Sequence, residues 1–421
     1  MNIDRRNFIK TAIASLLTIN TTSVFADISG KAETISRGEP AKERKKVFIS
    51  DIHMSEKRSL DKTGHRYDWF RKDDSDHLAA LLMYLSQDDT VEEVILLGDI
   101  MDTWVYPIDE PPPSYKNILL SNMNIVEGLK AIKAKKEVIY IRGNHDMDVK
   151  ADDLIIDKTS LITRMQDVYC SDNIHAEHGH HYDMFNYCDQ CKYPVPFGYF
   201  VARLATTIAA RGNEDYSVLD FRDTFVDNLW KAVIHRQGLT PRAFSRERVR
   251  AIITTLIDEI KKADSTRDVD KENITLPKQI FGKESMPIGD IIDMYADYFV
   301  GKPLNVLEHS IITELTGHLD YAANDIALHA SLKKKRVVIF GHTHNKEIKE
   351  LYKVATAKVS PYSPIDESDP CYGIYGNCGS WCETRRNKPL TYIETVAAEN
   401  SNEVKVRLKH WDIFNESVMK L

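Results

Sequence analysis

The stretch that decides the fold is "EVIYIRGNHDMD", residues 137–148, in which an apolar run is followed by a polar turn. The run "EVIYI" is typical of a strand buried on both faces of a sheet. Asn144, His145 and Asp146 follow it directly. Because open α/β sheets hold their ligands at the carboxyl ends of their strands, an amide, an imidazole and a carboxylate at this position indicate a binding site.

Four other strand-like runs end in His or Asp: "KVFISDIH" (46–53), "EEVILLGDIMD" (92–102), "NIHAEHG" (173–179) and "RVVIFGHTH" (336–344). The polar residues at their ends are Asp51, His53, Asp99, Asp102, His178, His342 and His344. One ending of this kind arises by chance, since most buried histidines are core residues rather than ligands. Five endings in chain order predict one shared site.

The motifs D-x-H, G-D-x-x-D, G-N-H-D, a later His-Gly and G-H-x-H together resemble the signature of the calcineurin-like metallophosphoesterase superfamily. The resemblance covers residues 46–183 and 336–382. It implies a four-layer α/β/β/α sandwich with two divalent metal ions at the strand ends. It also implies hydrolysis of phosphate ester or anhydride bonds by a hydroxide held between the ions.

Residue by residue, the resemblance implies two ligand sets that share Asp99. The first set is Asp51, His53, Asp99 and His344, and the second is Asp99, Asn144, His178 and His342. Oxygen and nitrogen ligands without a thiolate suit Mn, Fe or Zn. A shared carboxylate holds two ions roughly 3.5–4 Å apart, so that both bind one phosphoryl group.

The resemblance also assigns catalytic roles to His145 and Asp102. We expect His145 beside the phosphate, where it stabilises charge or protonates the leaving oxygen. Asp102 is expected to hydrogen-bond that imidazole and fix its orientation. The alternatives are that His145 is only a turn residue and that Asp146 only braces the turn. His180 is expected to line the pocket or brace the site, and His181 to be structural.

Strands and helices alternate in the first part of the chain, which favours an α/β fold. Leu78, Leu81, Leu82 and Leu85 recur at helical spacing after Ser75, which we expect to be the N-cap. From residue 184 to 330 helical patterns replace the strands. We therefore divide the chain into a signal peptide (1–26), a flexible linker (27–45), a first core part (46–183), a helical insert (184–330) and a second core part (331–421).

The insert begins just after one predicted metal ligand and ends just before another, so we expect it to form a cap over the metals. Its first helix, "FGYFVARLATTIAA" (197–210), either covers an acyl chain or only packs into the protein core. The loop "VYPIDEPPPSYK" (105–116) is either a substrate rim or a surface connection.

Residues 1–26 predict export from the cytoplasm, because two arginines precede a short apolar run and a site of small residues at "SVFA". The segment resembles a twin-arginine signal, with matching residues Arg5, Arg6, Phe8 and Lys10. The alternatives are an ordinary Sec signal and an uncleaved anchor. The resemblance implies the twin-arginine export machinery as a partner and a periplasmic or secreted location.

The formal net charge of −7 gives no basic excess, so duplex nucleic acid is not expected as a partner. We expect a small phosphorylated substrate, either lipid-linked or a nucleotide. "GDIMDTW" (98–104) and the cap also resemble the UDP-2,3-diacylglucosamine hydrolases, which are pyrophosphatases that act on a lipid-linked sugar. That group usually has Arg where His145 stands and acts in the cytoplasm. A third alternative is a non-catalytic metal-binding scaffold, against which the pair His145 and Asp102 argues.

Six cysteines in an exported chain predict one or two disulfides, which we place between the start of the insert and the loop at 371–382.

Overall fold

The computed structural model describes residues 44–56, 69–70, 72–171, 173–187, 195–211, 246–247, 250, 254, 271–276, 284–300, 310, 313, 319–330, 337–352, 371–382, 390–397 and 404–411. The predicted signal peptide lies outside these residues, and so does most of the predicted linker. Among the described helices, none combines the length and apolar character that a membrane span requires.

The described chain contains fifteen strands and six α-helices. The strands are β1 (Arg44–Ile49), β2 (Val91–Leu97), β3 (Glu137–Ile141), β4 (Ile155–Ile156), β5 (Thr159–Ser160), β6 (Arg164–Gln166), β7 (Tyr169–Ser171), β8 (Ile174–Ala176), β9 (Asn273–Thr275), β10 (Ser285–Pro287), β11 (Val337–Phe340), β12 (Glu347–Tyr352), β13 (Cys371–Asn377), β14 (Thr391–Ala397) and β15 (Val404–His410). The helices are α1 (Lys72–Gln87), α2 (Tyr115–Ser121), α3 (Met123–Lys133), α4 (Phe197–Arg211), α5 (Ile288–Val300) and α6 (Asp320–Ala330).

Two large sheets organise these strands. The first has the order β15-β14-β1-β2-β3-β6, and its neighbours from β1 to β6 run parallel. The second has the order β12-β13-β11-β8-β7, with β8, β11 and β13 parallel. Because parallel strands end at the same edge of a sheet, the polar residues after β1, β2 and β3 share one edge, and those after β8 and β11 share another. The mixed α/β fold predicted from the sequence is therefore confirmed.

Alternate residues of the central strands pack into different hydrophobic clusters. In β2, Ile95 and Leu97 pack between the two sheets, whereas Val94 and Leu96 pack against α1 and α3. This follows from the two-residue period of a strand, which sends successive side chains to opposite faces. In β11, Val337 and Ile339 face the same inter-sheet cluster. The sheets thus pack face to face, and helices cover their outer faces.

Helix α1 shows how the sequence pattern produces this packing. The predicted stripe Leu78, Leu81, Leu82 and Leu85 is fully buried against the first sheet. Burial of each such side chain stabilises the fold by about 1.5–3 kcal/mol. The prediction that Ser75 caps the helix is wrong, because the helix begins at Lys72. The Ser75 hydroxyl instead donates to a side-chain oxygen on α3 at 3.0 Å.

The structure places two segment boundaries differently from the sequence analysis. Strand β1 begins at Arg44, two residues inside the expected linker, because Arg44 and Lys45 pair with Ala397 and Val396 of β14. Helix α6 was expected in the insert, but its Ala322, Ala323 and Ala327 pack against β11 and β13 of the second sheet. It therefore belongs to the core.

The described part of the insert contains α4, α5 and the hairpin β9–β10, so it is not entirely helical as expected. The rings of Phe197 and Phe200 on α4 lie 5.5 Å and 5.2 Å from the ring of Tyr295 on α5. An apolar cavity between α4, α5 and the hairpin has a free volume of only about 20 Å³, little more than one water molecule needs. These contacts favour the alternative in which α4 packs into the protein core.

Candidate metal centre

The predicted ligands lie at strand ends in an unusual backbone conformation. Five of the seven have a positive φ between 53° and 69°, and these are Asp51, His53, Asp99, His342 and His344. A non-glycine residue in this left-handed region costs of order 1–3 kcal/mol and persists only where its surroundings fix it. The strained backbone directs side chains from separate strands toward one place.

Two glycines allow the strand ends to approach the carboxylates closely. A Cβ atom added at Gly143 would lie 2.1 Å from Oδ1 of Asp99, and one added at Gly341 would lie 2.5 Å from Oδ2 of Asp51. The backbone N–H of His145 donates to Oδ1 of Asp99 at 2.8 Å. Any side chain at Gly143 or Gly341 would therefore displace a predicted metal ligand.

The first predicted ligand set comes together around the Nε2 atom of His53. This atom lies 3.0 Å from Nε2 of His344 and 3.7 Å from Oδ2 of Asp99. Nε2 of His344 lies 3.3 Å from Oδ1 of Asp51. All four side chains are buried or nearly so. The donor atoms of this set thus lie close to one another.

The second predicted set comes together around Oδ2 of Asp99. Nε2 of His178 lies 3.1 Å from this oxygen and 3.1 Å from Oδ1 of Asn144. Donor atoms of Asp99, His178 and His342 all lie within 4.8 Å of one another. Asp99 contacts members of both sets, which is the position that a bridging carboxylate needs.

Hydrogen bonds on the opposite ring nitrogens orient two of the histidines. Nδ1 of His53 lies 2.9 Å from Oδ2 of Asp102, and Nδ1 of His178 lies 2.9 Å from the backbone oxygen of Leu97. When Nδ1–H donates to such an acceptor, the lone pair of a neutral imidazole is on Nε2. Metal-binding histidines usually have this arrangement. Both Nε2 atoms point into the predicted ligand sets, so the residues fit divalent ions.

The charges at the centre are strongly coupled. Burial opposes the ionised form of Asp99, but the neighbouring His178, His145 and His53 outweigh it and hold the pKa of Asp99 well below its usual range. Burial likewise opposes protonation of His178, yet Asp99 and Asp51 raise its pKa to about 9. The buried carboxylates of Asp99 and Asp51 therefore stay ionised. They attract cationic charge, which divalent ions supply.

His145 lies beside this centre and is 7% exposed. Its Nδ1 is 3.0 Å from Oδ2 of Asp102, but it is not aligned for a hydrogen bond. The expected hydrogen bond between Asp102 and His145 is thus a close contact, while Oδ2 of Asp102 bonds His53 instead. The indole of Trp104 stacks on the His145 ring, with centroids 4.1 Å apart and an interplanar angle of 24°. Burial lowers the pKa of His145, but Asp102 and Asp99 raise it above its ordinary value overall.

The structure also places the other polar residues of these motifs. Asp146 accepts hydrogen bonds from the backbone N–H groups of Gly143 and Ile100 at 2.7 Å and 2.8 Å, so it braces the turn. The His180 ring is buried, 5.5 Å from the ring of His178. His181 lies outside both ligand sets, with Nδ1 3.3 Å from Oε2 of Glu177.

Sequence reasoning missed Asp183, which is fully buried beside the second ligand set. Its Oδ2 lies 3.2 Å from Nε2 of His342 and accepts a hydrogen bond from the Asn186 amide at 2.7 Å. Its Oδ1 accepts from the N–H of Phe185 at 3.0 Å. Asp183 follows "HGHHY" with no strand pattern of its own, so only the fold reveals its proximity to His342. It either orients His342 or shares its ion.

A thiol also lies near the first ligand set. Sγ of Cys382 is 3.9 Å from Nδ1 of His344, and burial together with Asp51 raises the pKa of this thiol well above its usual value. The donor atoms of His53, His344 and Cys382 lie within 4.8 Å of one another. Cys170, Cys378 and Cys382 are free cysteines, so the expected disulfides do not involve them. The side chains of the remaining cysteines, Cys188, Cys191 and Cys371, lie outside the described residues.

Comparison with known families assigns this centre to a class. A family model described as calcineurin-like phosphoesterase matches residues 45–346, which is more than half of the chain. The chain therefore belongs to the calcineurin-like phosphoesterase family. It is a metal-dependent hydrolase that acts on phosphate esters, and the family implies a binuclear centre of divalent ions.

Among solved structures, a dimetal phosphatase from Danio rerio is similar to this chain, with 12% sequence identity and a TM-score of 0.32. The match covers 89% of this chain and 100% of that one. A TM-score of this size does not establish a shared fold. The comparison with curated proteins gives no match.

Proposed function

We propose that this phosphoesterase is exported and hydrolyses a small phosphorylated compound at an ester or anhydride bond, with two Mn, Fe or Zn ions. The observation that carries the proposal is the convergence of both predicted ligand sets on one buried carboxylate. His53 and His178 each place Nε2 within 3.7 Å of Oδ2 of Asp99. The backbone N–H of His145 donates to the other oxygen of that carboxylate.

The residues that would hold the ions are Asp51, His53, Asp99 and His344 in one set and Asp99, Asn144, His178 and His342 in the other. Two bound divalent ions supply Lewis-acid stabilisation of a phosphoryl group and activate water for attack. Asp102 and the Leu97 carbonyl hold His53 and His178 in the tautomer that suits this role.

His145 is proposed to act on the leaving group. Its ring lies outside the two ligand sets but beside the residues that carry them, and Asp102 favours its protonated form. A protonated imidazole either stabilises charge on the phosphate or transfers its proton to the leaving oxygen, which in general acid catalysis contributes about 10²–10⁴-fold.

Export is supported by the sequence of residues 1–26, with Arg5 and Arg6 ahead of the apolar run. Replacement of both arginines by lysine should leave the protein in the cytoplasmic fraction, whereas the wild type appears in the periplasm or medium. A wild-type protein that stays in the cytoplasm would contradict export by any route.

A second candidate is a pyrophosphatase of lipid-linked sugars that resembles the UDP-2,3-diacylglucosamine hydrolases. It requires an apolar site for acyl chains near the centre. In the part of the insert that the structure describes, the apolar cavity of about 20 Å³ is too small for a chain. The presence of His145 where that group usually has Arg also favours the first candidate.

The test uses the full-length mature protein loaded in turn with Mn, Fe and Zn, and bound metal is quantified. The substrates are p-nitrophenyl phosphate, bis-p-nitrophenyl phosphate, nucleotides and a lipid-linked pyrophosphate. We expect turnover that Asp99→Asn abolishes together with metal binding, and that Glu127→Gln, an exposed change on α3, leaves intact. Protein that holds two ions but hydrolyses none of these compounds would refute the proposed substrate class. Cleavage of the lipid-linked pyrophosphate alone would favour the second candidate.

A further inference from the structure

The segment from Trp104 to Glu110, called here the 104–110 loop, follows the Asp99 motif in the chain and lies against the insert. Residues 104–108 are buried, although the sequence analysis expected a substrate rim or a surface connection from Val105 onward. Helix α4 of the insert covers this loop. The loop therefore lies between the insert and the proposed catalytic residue His145.

Helix α4 holds the loop through hydrogen bonds to its backbone. The fully buried Arg203 donates from Nη2 to the backbone oxygens of Pro107 and Glu110 at 2.6 Å and 2.5 Å. One turn later, the Thr207 hydroxyl accepts from the N–H of Ile108 at 2.9 Å. Three backbone groups of the loop are thus bound by two side chains of one helix.

The same helix also contacts the indole that begins the loop. The ring of Tyr199 meets the ring of Trp104 edge-on, with centroids 5.8 Å apart and an interplanar angle of 85°. Arg203 donates to the Tyr199 hydroxyl at 2.7 Å, which fixes that ring in turn. Trp104 is therefore held from one side by the insert.

On its other side the loop holds His145. The Trp104 indole stacks on the imidazole at 4.1 Å. The N–H groups of Trp104 and Val105 donate to Oδ1 of Asp102 at 2.8 Å and 3.0 Å, and Oδ2 of the same carboxylate lies 3.0 Å from the His145 ring. One face of the imidazole is covered, and its Nδ1 edge faces a carboxylate that the loop backbone fixes.

We propose that helix α4 positions the catalytic histidine: Arg203 and Thr207 fix the 104–110 loop, and Trp104 transmits that position to the His145 ring. The inference rests on the proposed role of His145. It gives the insert a function in the chemical step, in addition to packing. Arg203, Thr207 and Trp104 are positioning residues, since they act through His145.

Two adjacent threonines of α4 provide a matched test. Thr206 and Thr207 are both buried, and both donate to the backbone oxygen four residues earlier, at 2.7 Å and 2.8 Å. Of these two described residues, Thr207 alone also accepts a hydrogen bond from the loop, at the N–H of Ile108. Thr207→Val and Thr206→Val therefore remove the same group from the same helix, but only the first change removes one of the three hydrogen bonds that hold the loop.

The experiment measures kcat, KM and bound metal for the full-length holoenzyme and both variants. We expect Thr207→Val to lower kcat about tenfold with two ions retained, because a misplaced catalytic group loses rate on this scale. Thr206→Val should stay within about twofold of the wild type. Trp104→Phe should keep more activity than Trp104→Leu, since a ring can still stack. Equal kcat values for the two threonine variants, or a loss of metal that accounts for the lower rate, would overturn the inference.

A second readout does not depend on turnover. It uses NMR of the Zn-loaded protein with isotope-labelled histidine, in which the signals of the His145 ring are assigned by their loss in His145→Gln. The chemical shifts of these signals contain the ring-current effect of the stacked Trp104 indole. These signals should move in Thr207→Val and stay in place in Thr206→Val. If the wild type hydrolyses nothing, the proposed function fails, and these signals still decide the positioning. Signals that respond equally to both variants would refute it.

Discussion

Replacement of Asp183 by Asn should weaken the binding of one metal ion and leave the other in place. Asp183 is fully buried, and its Oδ2 lies 3.2 Å from Nε2 of His342, which belongs to the second ligand set alone. Asn keeps the size of the side chain and an oxygen that accepts from the Phe185 N–H, but it carries no charge, and its NH2 group in the place of Oδ2 cannot accept from the Asn186 amide. The change therefore removes the carboxylate charge and one hydrogen bond while it keeps the packing.

The expected size of the effect follows from the position of Asp183. Loss of a partner that supports a metal-binding histidine typically lowers metal affinity about 10–100-fold, which corresponds to about 1.4–2.8 kcal/mol. When the second ion leaves, the first ion loses a neighbouring positive charge. It keeps all four of its predicted ligands, because Asp99 belongs to both sets. We thus expect stoichiometry to fall from two ions to one at intermediate concentrations of a competing chelator.

The assay is a titration of the metal-free protein with Mn or Zn against a fluorescent chelator, with bound metal quantified after gel filtration. Asp148→Asn is the control, since Asp148 bonds the Tyr115 hydroxyl and has no contact with a predicted ligand. Thermal unfolding of both variants shows whether either loses stability. Two ions with wild-type affinities in Asp183→Asn, or the same loss in Asp148→Asn, would refute the reasoning.

Three further changes test other parts of the centre. His145→Gln should lower kcat about 10²–10⁴-fold with both ions retained, as steady-state kinetics and metal analysis will show; a rate near that of the wild type would remove His145 from the mechanism. Gly143→Ala should reduce metal binding, because the new Cβ would lie 2.1 Å from Oδ1 of Asp99, whereas Gly128→Ala, which meets a core leucine at 2.8 Å, should lower Tm with the metals retained. Burial alone would raise the pKa of Glu177, but His175 and His181 lower it from 4.5 to about 2. Its contribution of about 3 kcal/mol to the free energy of unfolding is therefore complete above pH 4.5 and lost as pH falls toward 2. In a series of urea-unfolding measurements at different pH, Glu177→Gln should reduce the fall of this free energy between pH 4.5 and 2. An unchanged fall would contradict this.

The strands that carry the predicted ligands were readable from the sequence because they are buried on both faces. Runs such as "EVIYI" are apolar without interruption, and each is followed at once by its polar residues. The stripe Leu78 to Leu85 was readable for the same reason, since both periods are local. The start of α1 was not, because Ser75 bonds α3 instead of the helix end.

The remaining parts of the structure depend on contacts between distant segments. Asp183 lies 159 positions from His342 along the chain, and no local pattern links them. The short strands β6 and β7 contain only three residues each and pair at sheet edges, so their sequence has no clear period. Helix α6 has the same amphipathic character whether it covers a core sheet or joins an insert, and only the packing of Ala323 against the second sheet decides between them.

The left-handed backbone at the five ligand positions has a consequence for how the protein takes up its cations. Packing of the surrounding sheets compensates the energetic cost of those conformations when the chain folds. The ligand side chains therefore already point toward the metal site before any ion binds. Little further ordering is then needed for binding, and the ion is selected by a rigid cage whose dimensions the fold has already set.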